Sequence, residues 1–121
     1  MKKSEKKLFF SLTYEFLEVY MRIQMLRSPA TIESYRDALT VFQRYLRDEL
    51  HMRVDSFGFA DCTRDLVMGF MEHLSAVGNK PGTRNQRLAA IKSYLWFAAE
   101  KDMALQSVAI SVGRVKSCRN P

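Results

Sequence analysis

Lys80, Thr83, Arg84, Asn85, Gln86 and Arg87 crowd into one short segment ahead of the first large apolar side chain, Leu88. Ammonium, hydroxyl, guanidinium and carboxamide groups at this density suit phosphate oxygens and base edges. Arg pairs bidentately with guanine, Asn or Gln with adenine, and Lys or Thr with phosphate. Pro81-Gly82-Thr83 reads as a helix start, and the apolar stripe of residues 83–98 centres on Leu88, Ile91 and Leu95. Thr83, Arg87 and Tyr94 fall on one flank of that stripe, and Asn85, Lys92 and Trp96 on the other. Gln86 and Ser93 point away from it. The dipole and unpaired N–H groups of a helix entrance also favour phosphate. A second start, Arg27-Ser28-Pro29-Ala30-Thr31-Ile32-Glu33-Ser34-Tyr35-Arg36, offers Arg27, Thr31, Ser34 and Arg36 in a parallel way. Two such starts could line one groove; ordinary capping and solvation are the alternative.

Other chemistries lack their residues. His51 and His73 are isolated, with no Cys, Asp or second His at ligand or triad spacing. There is no Gly-rich phosphate loop, no Gly-x-Ser-x-Gly and no His-Glu-x-x-His. None of the five tyrosines has the basic cluster that would activate it as a nucleophile. Cys62 and Cys118 form no Cys-x-x-Cys pair, which argues against zinc or a disulfide framework and for a reducing compartment. No cofactor, no metal and no catalytic site are expected.

The net charge of +6 is unevenly placed. Residues 1–79 balance eleven basic against eleven acidic side chains, whereas residues 80–121 hold eight basic ones against Glu100 and Asp102. The whole excess begins at Lys80, which points to a polyanionic partner, nucleic acid or an anionic membrane. No stretch approaches the ~18 apolar residues of a membrane span. The expectation is therefore a soluble, cytoplasmic protein with no membrane partner.

Helical spacing supplies the frame. Phe9, Leu12, Phe16, Val19 and Ile23 mark a first helix over about 8–26, broken by Ser28-Pro29. Ile32, Tyr35, Leu39, Phe42, Leu46 and Leu50 mark a second over about 30–50. Residues 51–62 read as a loop whose Phe57 and Phe59 cover the core edge. Asp61 or Thr63 caps a third helix carrying Leu66, Phe70, Leu74 and Val77, ended by Gly78-Asn79. The fourth runs from Pro81 to near Lys101 with Leu88, Ile91, Leu95 and Ala98 inward. A shorter fifth segment carries Leu105, Val108, Val112 and Val115. The fold class is all-α: a four-helix bundle with a short fifth helix.

In order and separation, Ser28-Pro29-x-Thr31-x-x-x-Tyr35, then Leu39, Phe42 and Leu46, then Thr83-x-Asn85-x-x-Leu88-Ala89-Ala90-Ile91-Lys92-Ser93-Tyr94 make a recognisable pattern. It resembles the core-binding domain of tyrosine recombinases and phage integrases, over about residues 8–116. The resemblance implies a SAM-like helical domain forming half of a C-shaped clamp on double-stranded DNA at a recombination site. Helices two and four would face successive grooves, with Thr31, Ser34, Arg36, Thr83, Arg84, Asn85, Arg87 and Lys92 at the matching positions.

The family's nucleophilic tyrosine and its Arg, Lys and His-x-x-Arg partners belong to a following catalytic domain. Neither His51-Met52-Arg53 nor His73-Leu74-Ser75-Ala76 has the His-x-x-Arg form. The implied organisation is a basic tail over 1–7, a DNA-binding domain over 8–115, and a linker starting at 116–121. The implied partners are DNA, the catalytic domain of the same chain, and other protomers in a recombination synapse of a mobile element. A fragment of this kind would not cleave DNA alone. The alternative is a helical adaptor docking an acidic protein, which calls for an exposed apolar patch around Trp96 and Phe97.

Overall fold

The computed structural model describes residues 7–118. Lys2, Lys3 and Lys6 of the basic tail, and Arg119-Asn120-Pro121, lie outside the described residues. Five helices follow in order: α1 (Glu15–Gln24), α2 (Pro29–Asp48), α3 (Arg64–Ala76), α4 (Pro81–Lys101) and α5 (Gln106–Gly113). Short 3₁₀ turns lie at Phe9–Leu12, Val54–Ser56, Phe59–Asp61 and Met103–Leu105. No strand occurs among the described residues beyond one bridge pairing Leu8 with Gly58.

The helix starts follow their local chemistry. Ser28 caps α2, its Oγ accepting the Thr31 N–H at 3.1 Å, and Pro29 opens the first turn. Thr63, rather than Asp61, caps α3 by accepting from the Leu66 N–H at 3.1 Å. Asp61 instead accepts the Gly58 N–H at 2.8 Å and closes the preceding turn. At the end of α3, Gly78 takes φ +91°, and the Asn79 N–H returns to the Leu74 carbonyl at 3.0 Å.

The first helix departs from the expected winding. The Met25 N–H donates to the Tyr20 carbonyl five residues back, at 2.8 Å, and α1 is a π-helix throughout. The wider turn moves the inward face onto Phe16, Leu17 and Met21, so Val19 is only half-buried and Ile23 lies 65% exposed. The apolar face of α2 matches expectation at Ile32, Leu39, Phe42 and Leu46. Leu50 and Val77 do not, because each lies past its helix end and faces solvent.

Tyr94 of α4 is the centre of the core. It is fully buried, donates its hydroxyl proton to the Phe9 carbonyl and accepts the Leu12 N–H at 3.1 Å. Its ring lies 5.2 Å from Phe9, 5.4 Å from Phe16 and 5.9 Å from Phe59. Phe57 and Phe59 are buried there, inside the core rather than over its edge. The Leu8–Gly58 bridge holds them in place, with the Phe9 N–H donating to the Phe57 carbonyl at 2.8 Å. α4 thus runs through the molecule with α2, α3 and α5 packed against it and α1 reaching it through Phe16 and Tyr20 on Phe97. Burial pushes the Tyr94 hydroxyl well above the ordinary tyrosine range, so it stays protonated and can donate.

Candidate nucleic-acid interface

The openings of α2 and α4 lie side by side. Gln86 Nε2 donates to Ser34 Oγ at 2.7 Å, and Arg87 Nη1 sits 3.5 Å from Asp37 Oδ2. Both contacts fall within the first three turns of each helix, so the two polar clusters read from the sequence share one surface. Gln86 does not point free into solvent, because α2 packs over it.

The candidate residues differ in what already occupies them. Arg27, Lys80 and Thr83 are exposed. Arg84 is half-buried, and the side chains of Arg27, Lys80 and Arg84 have no ion-pair partner among the described residues. The Nε atoms of Arg84 and Arg87 are buried with no hydrogen-bond partner among those residues. Pro81 starts α4, and Lys80, its N-cap, makes no side-chain capping bond. The first turn therefore keeps donors of its own beside two basic side chains.

Other candidates are committed inside the protein. Thr31 accepts a hydrogen bond from Ser28 Oγ at 2.9 Å, and Ser34 accepts from Gln86. Arg36 pairs with Glu18 of α1 and sits 3.5 Å from Glu33. Glu18 also takes Arg22 at 2.8 Å, and the two guanidiniums, Arg22 first, hold its carboxyl below the usual range. Asn85 and Lys92 bond the backbone after α5: Asn85 to Cys118 and Lys92 to Val115. Lys7, assigned to the tail, is docked by an ion pair to Asp102 at 2.5 Å.

Both cysteines are free thiols. Cys62 is buried, and burial pushes its thiol up to about 12, which leaves it inert. No group of His, Cys, Asp and Glu that could hold a metal occurs among the described residues.

A family model described as "Phage integrase, N-terminal SAM-like domain" matches residues 15–102, most of the chain. The chain belongs to the phage integrase family. What it comprises is the SAM-like, non-catalytic N-terminal domain, and the all-α fold agrees with that assignment. This integrase chain is also 35% identical over 98 residues to "Putative integrase/recombinase y4rD" of Sinorhizobium fredii (strain NBRC 101917 / NGR234). That alignment covers 77% of the chain and 35% of the relative, so the integrase chain spans about a third of the relative's length. No solved structure matches it. No helix among the described residues is long and apolar enough to cross a membrane.

The integrase match starts at α1 and stops just beyond α4. The Phe9–Leu12 turn, α5 and the backbone held by Asn85 and Lys92 lie outside it. Sequence reasoning missed Glu18 and Asp37, and it read Gln86 as pointing away from the core rather than onto Ser34; these three fix the neighbours of the candidate residues. The Glu18–Arg22 spacing of four was readable as a helix pair. The Glu18–Arg36 and Asp37–Arg87 contacts depend on how separate helices pack.

Proposed function

We propose that this domain grips duplex DNA at a recombination site through the opening of α4, for an integrase whose strand chemistry belongs to another domain. The observation that carries the reading is the pairing of Lys80 and Arg84, without carboxylate partners among the described residues, with an uncapped helix start. Thr83 lies at the same helix opening, and Arg27 lines the groove farther along α4 beside Lys92, Ser93 and Trp96. Gln86–Ser34 and Arg87–Asp37 hold the two helix openings together, so Thr31, Ser34 and Arg36 border the contact from α2. Phosphate contact dominates and base reading is limited, since few side chains on this surface are unoccupied. The full protein would act in the cytoplasm on a mobile element's ends, with protomers meeting in a synapse.

The adaptor alternative has weaker support. Phe97 is buried, its ring 5.0 Å from Tyr20 and 5.4 Å from Phe16, which leaves Trp96 as the exposed member of the pair, with Met25 across the same groove. A fluorescence-anisotropy titration separates the two readings, using random and att-like duplexes at two salt concentrations and an acidic helical peptide. Engagement of Arg27, Lys80 and Arg84 gives a log–log salt slope of about −3, at roughly −0.9 per phosphate neutralised. Peptide binding with no duplex binding at low salt would replace the DNA reading with the adaptor.

A further inference from the structure

Val115–Cys118, beyond the last helix, is tied to α4 at two points. The Cys118 N–H donates to Asn85 Oδ1 at 2.6 Å, and Asn85 Nδ2 donates to the Cys118 carbonyl at 2.9 Å. One carboxamide thus satisfies both peptide groups of one residue, as a neighbouring strand would. Lys92 Nζ donates to the Val115 carbonyl at 2.5 Å, placing a cation at the C-terminal end of α5 where the helix dipole favours it. Val115 itself is buried.

The lengths agree. Asn85 and Lys92 lie seven residues apart on one flank of α4, about 10.5 Å at ~1.5 Å per residue. Val115 to Cys118 spans three residues, about 10 Å when extended. The segment is therefore long enough to follow α4 from Lys92 to Asn85, toward its opening.

We infer that Val115–Cys118 is an exit strap and that Asn85 and Lys92 are positioning residues. They deliver the chain that follows to the edge of the α4 opening. The helix proposed to grip DNA also holds the strap, so helix and strap move as one body. The strap stands on geometry alone; only the DNA half of this statement rests on the proposed function.

Residue-resolved amide hydrogen exchange on the whole chain tests it, paired with duplex anisotropy. Losing a two-bond tether speeds exchange of the Cys118 amide by about tenfold or more in Asn85→Ala, at ~0.5–1.5 kcal/mol per bond. Lys92→Met speeds it less, and Lys92→Arg, which keeps a donor, restores protection. The Leu12 amide, held by Tyr94, keeps its wild-type rate in each variant and reports an intact core. Duplex affinity stays within about twofold of wild type, because neither side chain is assigned a phosphate. Unchanged Cys118 exchange in Asn85→Ala and Lys92→Met overturns the strap. Faster exchange together with a several-fold loss of affinity overturns the positioning role and returns both residues to the DNA surface. Absence of duplex binding by the wild type overturns the DNA reading, while the exchange rates still decide the strap.

Discussion

Arginines of the first half of the chain and basic residues at the opening of α4 carry the same charge into different surroundings. Arg22 and Arg36 converge on Glu18, Arg47 lies 2.7 Å from Asp48, and Arg53 lies 3.0 Å from Asp55. At α4, Lys80 and Arg84 have no carboxylate partner among the described residues, and Arg87 has only Asp37 at 3.5 Å. Arg22, Arg36, Arg47 and Arg53 are thus each matched in space by an acid of the same stretch. The excess beginning at Lys80 is left unneutralised at Lys80 and Arg84, whereas Lys101 pairs with Glu15. Basic residues available to a polyanion are those without a local acid, and this separates Arg84 from Arg36 more sharply than residue type can.

The largest effect should come from inverting the unpaired charges. Lys80→Glu combined with Arg84→Glu is expected to lower duplex affinity at least about a hundredfold at low salt, at ~1.5–3 kcal/mol per charged hydrogen bond. Arg22→Ala should leave it within about twofold, by the same anisotropy titration. Equal losses in both would erase the distinction between the regions. The next effect concerns the core beneath both surfaces. Tyr94→Phe strands the Phe9 carbonyl and the Leu12 N–H, and should cost about 1–3 kcal/mol in urea unfolding. Affinity per folded molecule should not change; a parallel loss would mean that the surface depends on the N-terminal turn.

Much of the frame was legible because local chemistry agreed with the packing. Ser28-Pro29 and Pro81 marked the starts of α2 and α4, and Leu88, Ile91, Leu95 and Ala98 are buried as their spacing required. α1 was misread at Val19 and Ile23 because a period of 3.6 was assumed where the backbone closes five-residue turns. The candidate surface was legible as composition but not as occupancy. Nothing local to Asn85 reveals that Cys118, far along the chain, takes both ends of its carboxamide. Nothing local to Arg36 reveals Glu18 on another helix.

Smaller effects sharpen the paired region. Arg36→Ala should change duplex affinity by less than about twofold, since its guanidinium is already engaged and exposed ion pairs contribute little. A tenfold loss would place Arg36 on the DNA. Glu18 gives a pH signature. Its carboxyl lies below its usual value near 4.5 because of Arg22 and then Arg36, so the stabilisation is present above that value and lost as pH falls through the lower folded one. The Tm of wild type should therefore drop more between about pH 4.5 and pH 2.5 than that of Glu18→Gln. Parallel curves would show that the paired arginines contribute nothing through this acid.

The most direct test of the central claim is a backbone amide chemical-shift titration of the whole chain with a duplex at low salt. The account expects the largest shifts at Gly82, Thr83 and Arg84, smaller ones around Arg27 and Thr31, and little change along the paired arginines Arg47 and Arg53. Shifts concentrated on α3 or on the Arg47–Asp55 surface, with the opening of α4 unmoved, would contradict it.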